Sequence, residues 1–170
     1  IYGDLDLIDA ARALIDNGSV IDSATQTSGQ RLMDGSGRTA AGNDELRNNG
    51  TITGSIETGA GDDIVMNYPG GVIGGDIRLG VGDDVYSQEA GRLDGALDAG
   101  EGDDLVEFGG SIGGNITLGA GDDALGIYGA AELAAGAGID GGSGLDTIIF
   151  AGNTGTWDAS RFLDIEALGK

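Results

Sequence analysis

The chain contains no cysteine and no histidine. The first absence excludes disulfides and thiolate metal sites, and the second removes the commonest zinc ligand. An oxygen-only site for a hard cation is left open. Proline occurs once, and aromatic residues make up 5% of the chain. Positive charge is scarce: 8 basic residues stand against 29 acidic ones, for a formal net charge of −21, and no lysine precedes Lys170. That balance argues against nucleic acid as a partner, because phosphate binding needs clustered Lys and Arg. It argues equally against electrostatic adsorption to anionic lipid. No apolar run approaches the length of a membrane span, so direct membrane insertion is not expected. The opening residue is Ile1 rather than Met, from which we expect a processed or partial chain.

Glycine, by contrast, is abundant, at 36 of 170 residues. It follows no three-residue collagen period. Apolar residues reach 39%, too many for a disordered acidic tail, so a folded core is expected.

The glycines mark a repeat. Aligned on an aspartate that follows a Gly-rich turn, the chain repeats at Asp44, Asp63, Asp84, Asp104, Asp123 and Asp146, with spacings of 19, 21, 20, 19 and 23 residues. The turns read AAGND, GAGDD, GVGDD, GEGDD, GAGDD and GSGLD, and each is followed by a short strand-like run such as IVMN or LVEF. The other half of the period carries apolar pairs around a glycine: Ile52/Ile56, Ile73/Ile77, Leu93/Leu97 and Ile112/Ile116, with Leu133/Ile139 spread by a two-residue insertion. Alternation with period two predicts strands with one buried face.

A unit of about 20 residues with two short strands cannot bury a core alone, whereas stacked units can. We therefore expect an all-β fold, a parallel β-solenoid of the β-roll or β-helix kind, with about 5–6 coils over residues 40–150. One interior ladder is expected at Leu46, Val65, Tyr86, Val106, Leu125 and Ile148, and another at Ile56, Ile77, Leu97, Ile116 and Ile139. Asn48 and Asn67 would form a short asparagine ladder. Residues 1–39 read as an N-terminal cap with a helix over 4–17, and 151–170, with Trp157, Phe162, Leu163, Ile165 and Leu168, as a C-terminal cap.

Stacking would also ladder the aspartates: Asp63, Asp84, Asp104 and Asp123, beside Asp62, Asp83, Asp103 and Asp122. Like charges one strand spacing apart repel by roughly 3–4 kcal/mol per neighbour pair at an effective dielectric near 20. Something must neutralise such a column. Carboxylates with backbone carbonyls of the turn glycines (Gly59 and Gly61, Gly80 and Gly82, Gly100 and Gly102, Gly119 and Gly121, Gly142 and Gly144) suit Ca²⁺. Several Ca²⁺ ions in one column, on one edge of the solenoid, are expected.

Residues 141–149, GGSGLDTII, match GGxGxDxUx, with U a large apolar residue, and GxGDDxU recurs at 59–65, 80–86, 100–106 and 119–125. In these motifs the chain resembles the calcium-binding repeats of RTX proteins. The resemblance implies that Asp44, Asp63, Asp84, Asp104, Asp123 and Asp146 ligate metal together with turn carbonyls, while the preceding aspartate assists or faces solvent. The chain departs from that family, whose coils of about eighteen residues carry the motif at both edges. Its hybrid coil also resembles passenger domains of bacterial autotransporters and large adhesins.

No nucleophile–base constellation is present, so no enzyme is expected. The expected role is a secreted or cell-surface calcium-binding protein, structural or adhesive, that folds where Ca²⁺ is plentiful. The alternatives are a secretion and folding module of a larger toxin or hydrolase, and a subunit of a surface layer, filament or larger complex that self-associates.

Overall fold

A computed structural model of the chain describes residues 20–23, 42–152 and 156–169. The helix expected over 4–17 lies outside the described residues. Parallel strands stack into a β-solenoid of about six turns.

Each of the five full coils among the described residues contributes three strands rather than the two expected. Sheet 1 holds strands of three to five residues, Val20–Ser23, Glu45–Asn48, Ile64–Asn67, Val85–Gln88, Leu105–Phe108, Ala124–Tyr128, Thr147–Ala151 and Ala167–Gly169, of which the six from Glu45 to Ala151 follow the aspartates. Sheet 2 holds two-residue strands, Thr51–Ile52, Val72–Ile73, Arg92–Leu93, Ser111–Ile112 and Glu132–Leu133. Sheet 3 holds the strands that lead into the Gly-rich turn: Ile56–Ala60, Ile77–Val81, Leu97–Glu101, Ile116–Ala120, Ile139–Ser143 and Phe162–Leu163. The apolar-x-Gly-x-apolar pattern therefore spans a corner. Ile73 and Ile77 belong to different sheets, and a Cβ on Gly75 would lie 2.5 Å from the backbone of Gly54 in the coil below. Corners stacked this closely need glycine.

Both expected ladders are present. Leu46, Val65, Tyr86, Val106, Leu125 and Ile148 pair in register, and so do Ile56, Ile77, Leu97, Ile116 and Ile139; all are buried. Each such side chain contributes about 1.5–3 kcal/mol by leaving water. The coil that carries bulky Tyr86 places small Ala99 where its neighbours carry Leu79 and Leu118, which keeps the core close-packed. The asparagine ladder is longer than expected. Asn48 donates to Asn67 at 2.9 Å, Asn67 donates to Gln88 at 2.9 Å, and the buried Tyr86 hydroxyl donates to Gln88 at 2.8 Å.

Parallel pairing runs beyond both edges of the repeat block. Val20–Ser23 pairs with Glu45–Asn48, and the tail strands Phe162–Leu163 and Ala167–Gly169 pair with Ile139–Asp140 and Thr147–Ile149. The tail is thus a further half-coil. Trp157 of the tail joins Phe162, Phe150 and Phe108, which lies two coils before Phe150, in a ring cluster with neighbouring centroids 6.0–6.2 Å apart. Arg161 reaches into the corner made by the insertion and donates to the carbonyls of Ala137 at 2.6 Å and Ala134 at 2.7 Å.

Candidate metal centre

The Gly-rich turns join sheet 3 to sheet 1, so the register of both sheets stacks them. Their glycines are required. Gly80, Gly100 and Gly119 have φ of 121°, 122° and 123°, and a Cβ on any of them would collide with the carbonyl oxygen of the equivalent glycine one coil earlier.

Stacking separates the two aspartates of each pair. Asp44, Asp63, Asp84, Asp104, Asp123 and Asp146 are buried, at 0–4% exposure. Asp62, Asp83, Asp103 and Asp122 are exposed. The two rows grip neighbouring coils in opposite directions. In the buried row, each carboxylate reaches back and accepts the backbone N–H of the aspartate one coil earlier: Asp63 from Asp44, Asp84 from Asp63, Asp104 from Asp84 and Asp123 from Asp104, at 2.7–2.8 Å, and Asp146 from Asp123 at 3.0 Å. In the exposed row, each carboxylate reaches forward. Asp62 accepts from Asp83 at 3.2 Å, Asp83 from Asp103 at 2.9 Å, Asp103 from Asp122 at 2.8 Å and Asp122 from Leu145 at 2.9 Å. Asn43 does the same for Asp62 in the first turn. Two adjacent aspartates in one turn therefore tie that coil to the one on each side.

One oxygen of each buried carboxylate is left over. The Oδ2 atoms of Asp63, Asp84, Asp104, Asp123 and Asp146 are shielded from solvent and accept no hydrogen bond. Such an atom costs about 1–3 kcal/mol, and more when charged. Burial pushes Asp84 and Asp104 up to about 7, with the neighbouring carboxylates adding to the rise and the donated amides opposing it. Asp63, Asp123 and Asp146 are raised as well, again first by burial.

The donor set is all oxygen, which fits a hard cation. Among the described residues no three carboxylates converge on one point. A cation here would complete its shell with carbonyls of the turns around Gly59 and Gly61, Gly80 and Gly82, Gly100 and Gly102, Gly119 and Gly121, and Gly142 and Gly144.

One member of the row is not apparent in the order of the residues. Glu166 stands in the last half-coil where the other turns have the buried aspartate, and its carboxylate accepts the Asp146 N–H at 2.7 Å. The register of Thr147 with Ala167 places it there, and the turn before it is three residues shorter, which hides the match in a linear alignment. Arg78 pairs with Glu57 and Asp76, and Arg92 pairs with Asp94. The chain matches no family model, no curated protein and no solved structure.

Proposed function

We propose that this chain is a calcium-stabilised β-solenoid with a structural or adhesive role, secreted or displayed at the bacterial surface. The observation that carries the reading is the column of buried Oδ2 atoms with no hydrogen-bond partner. Fully ionised, that column opposes the stack that creates it. Ca²⁺ binding would neutralise it and join coil to coil through Asp44, Asp63, Asp84, Asp104, Asp123 and Asp146 together with turn carbonyls. Binding that favours the folded state adds to stability by mass action. With extracellular-module affinities of about 10⁻⁴–10⁻³ M, the switch would be off at cytosolic Ca²⁺ and on outside the cell. The same logic serves a folding module of a larger secreted toxin or hydrolase.

A second reading, a subunit of a filament, surface layer or larger complex, is favoured by the end of the stack. Leu168 stands in the row of buried Ile148, yet it is 63% exposed.

Circular dichroism with size-exclusion light scattering through a Ca²⁺ titration, with Mg²⁺ as control, tests both readings. Cooperative gain of β signal with Ca²⁺ alone is expected. A Ca²⁺-dependent rise in mass would favour assembly. A chain that is folded in chelator and indifferent to Ca²⁺ would refute the metal column and leave the aspartates as a hydrogen-bonded ladder alone.

A further inference from the structure

The last full coil differs from the others at one inward position. Thr58, Leu79, Ala99 and Leu118 fill the row at the entrance to each turn and are buried. The fifth member of that row is Gly141, which has no side chain to place there. A Cβ on Gly141 would lie 2.5 Å from Asp146 Oδ2 and 2.9 Å from the Ile165 Cδ1 methyl, and would collide with the main-chain carbonyl oxygen of Asp164. Two oxygens from successive coils, with the Ile165 methyl beside them, therefore approach the Gly141 Cα where a side chain stands in the earlier coils. Asp146 is fully buried, and its Oδ2 accepts no hydrogen bond. Glu166 lies over the same turn, since its Oε2 accepts the Asp146 N–H at 2.7 Å. Glu166 and Asp164 are both exposed and stand at the surface of the stack, while Gly141 and Asp146 are buried beneath them. Asp164 holds a left-handed backbone, φ 48°, at the turn that presents its carbonyl. Asp140 and Asp122 add negative potential around Asp146.

We propose that Asp146 Oδ2, the Asp164 carbonyl and the Glu166 carboxylate form a separate terminal site for a hard divalent cation, Ca²⁺ by its all-oxygen donors, which clamps the last half-coil onto the solenoid. Two carboxylates match the charge of one such ion, and water completes its shell. The site shares Asp146 with the column proposed above but needs none of the other turns.

The test is calorimetric titration of Ca²⁺ into the chelator-treated full chain, comparing the parent with Gly141→Ala, Glu166→Gln and Asp104→Asn. Hydrogen exchange of the Ala167–Gly169 strand is followed alongside. Gly141→Ala and Glu166→Gln are expected to lose one binding event, or to weaken it at least tenfold, while Asp104→Asn keeps it. Ca²⁺ is expected to slow exchange in Ala167–Gly169 for the parent and Asp104→Asn but not for Glu166→Gln. Because Gly141→Ala sets a methyl against the Asp164 carbonyl and disturbs the half-coil by itself, Glu166→Gln decides: it keeps the side chain's shape and an acceptor for the Asp146 N–H. Parental stoichiometry, affinity and exchange protection in Glu166→Gln would overturn the terminal site. If the parent binds a single ion that Glu166→Gln loses, the terminal site stands and the column falls. If the parent binds several and Glu166→Gln loses none, the column stands and the terminal site falls. No binding by the parent overturns both.

Discussion

The backbone N–H of Asp84 donates to Oδ1 of Asp104 at 2.8 Å, and Oδ2 of the same Asp104 carboxylate is buried with no hydrogen-bond partner. One oxygen of this side chain holds two coils together, and the other opposes their stacking. Asp104→Asn separates these effects. It keeps the acceptor for Asp84 and removes a buried charge, so in chelator the variant is expected to be more stable than the parent by about 1–3 kcal/mol. In Ca²⁺ its thermal stabilisation should be smaller than the parent's. Denaturation of both proteins in chelator and in Ca²⁺ measures the crossover, and a variant weaker than the parent in chelator would contradict it.

The pH dependence of the metal-free protein follows from the raised carboxyls. Asp84 and Asp104 titrate near 7 in the folded chain, against about 4 when unfolded, and Asp63, Asp123 and Asp146 are shifted the same way. The folded state therefore holds more protons than the unfolded state between these values, and stability falls as pH rises through that window. In chelator, the melting temperature should be higher at pH 5 than at pH 8. Saturating Ca²⁺ should flatten or reverse this slope. Loss of stability on acidification in chelator would mean that the carboxylates are already ionised and compensated.

Glycine in the turn and glycine in the sheet are expected to respond differently to alanine. Gly100 has φ 122°, and a Cβ there would collide with the Gly80 carbonyl. Gly100→Ala should cost about 2–4 kcal/mol through backbone strain and the opened stack. Gly126 lies in a sheet 1 strand, where the nearest atoms to a Cβ would be those of the Glu107 side chain, from 3.4 Å. Gly126→Ala should fall within about 0.5–1 kcal/mol of the parent, in either direction. Urea denaturation of the two variants gives the comparison.

Arg161 satisfies carbonyls of Ala134 and Ala137 in the corner that carries the two-residue insertion. Arg161→Met keeps most of the side-chain volume and removes these donors. A loss of about 1–3 kcal/mol is expected. It should be confined to the terminal coil, with faster hydrogen exchange in Phe162–Leu163 and unchanged exchange in Ile77–Val81. Equal loss at both ends would show that the corner is coupled to the whole stack.

Much of this architecture was legible in the chain because a solenoid turns sequence period into spatial register. Val65, Tyr86 and Val106 align in the text and pair in the fold for one reason: successive coils differ by few residues. The alternation of buried and exposed side chains is equally local, a property of extended backbone. The corner between Ile73 and Ile77 was not legible, since a glycine between two apolar residues also suits a continuous strand. Glu166 was hidden because the last turn is shorter than the others, and only strand pairing restores its place in the row.

The repeat, the all-β class, the apolar ladders and the stacking of paired aspartates follow from spacing and from which residue types alternate, and are already written in the order of the residues. Folding adds the three faces of each full coil, the burial of one aspartate of a pair, which reaches back while its exposed neighbour reaches forward, and the approach of Asp164 and Glu166 to Gly141 and Asp146 at the last turn. Those features are set by hydrogen bonds and close approaches between coils, and a contact of that kind depends on where a backbone bends rather than on the order of its residues.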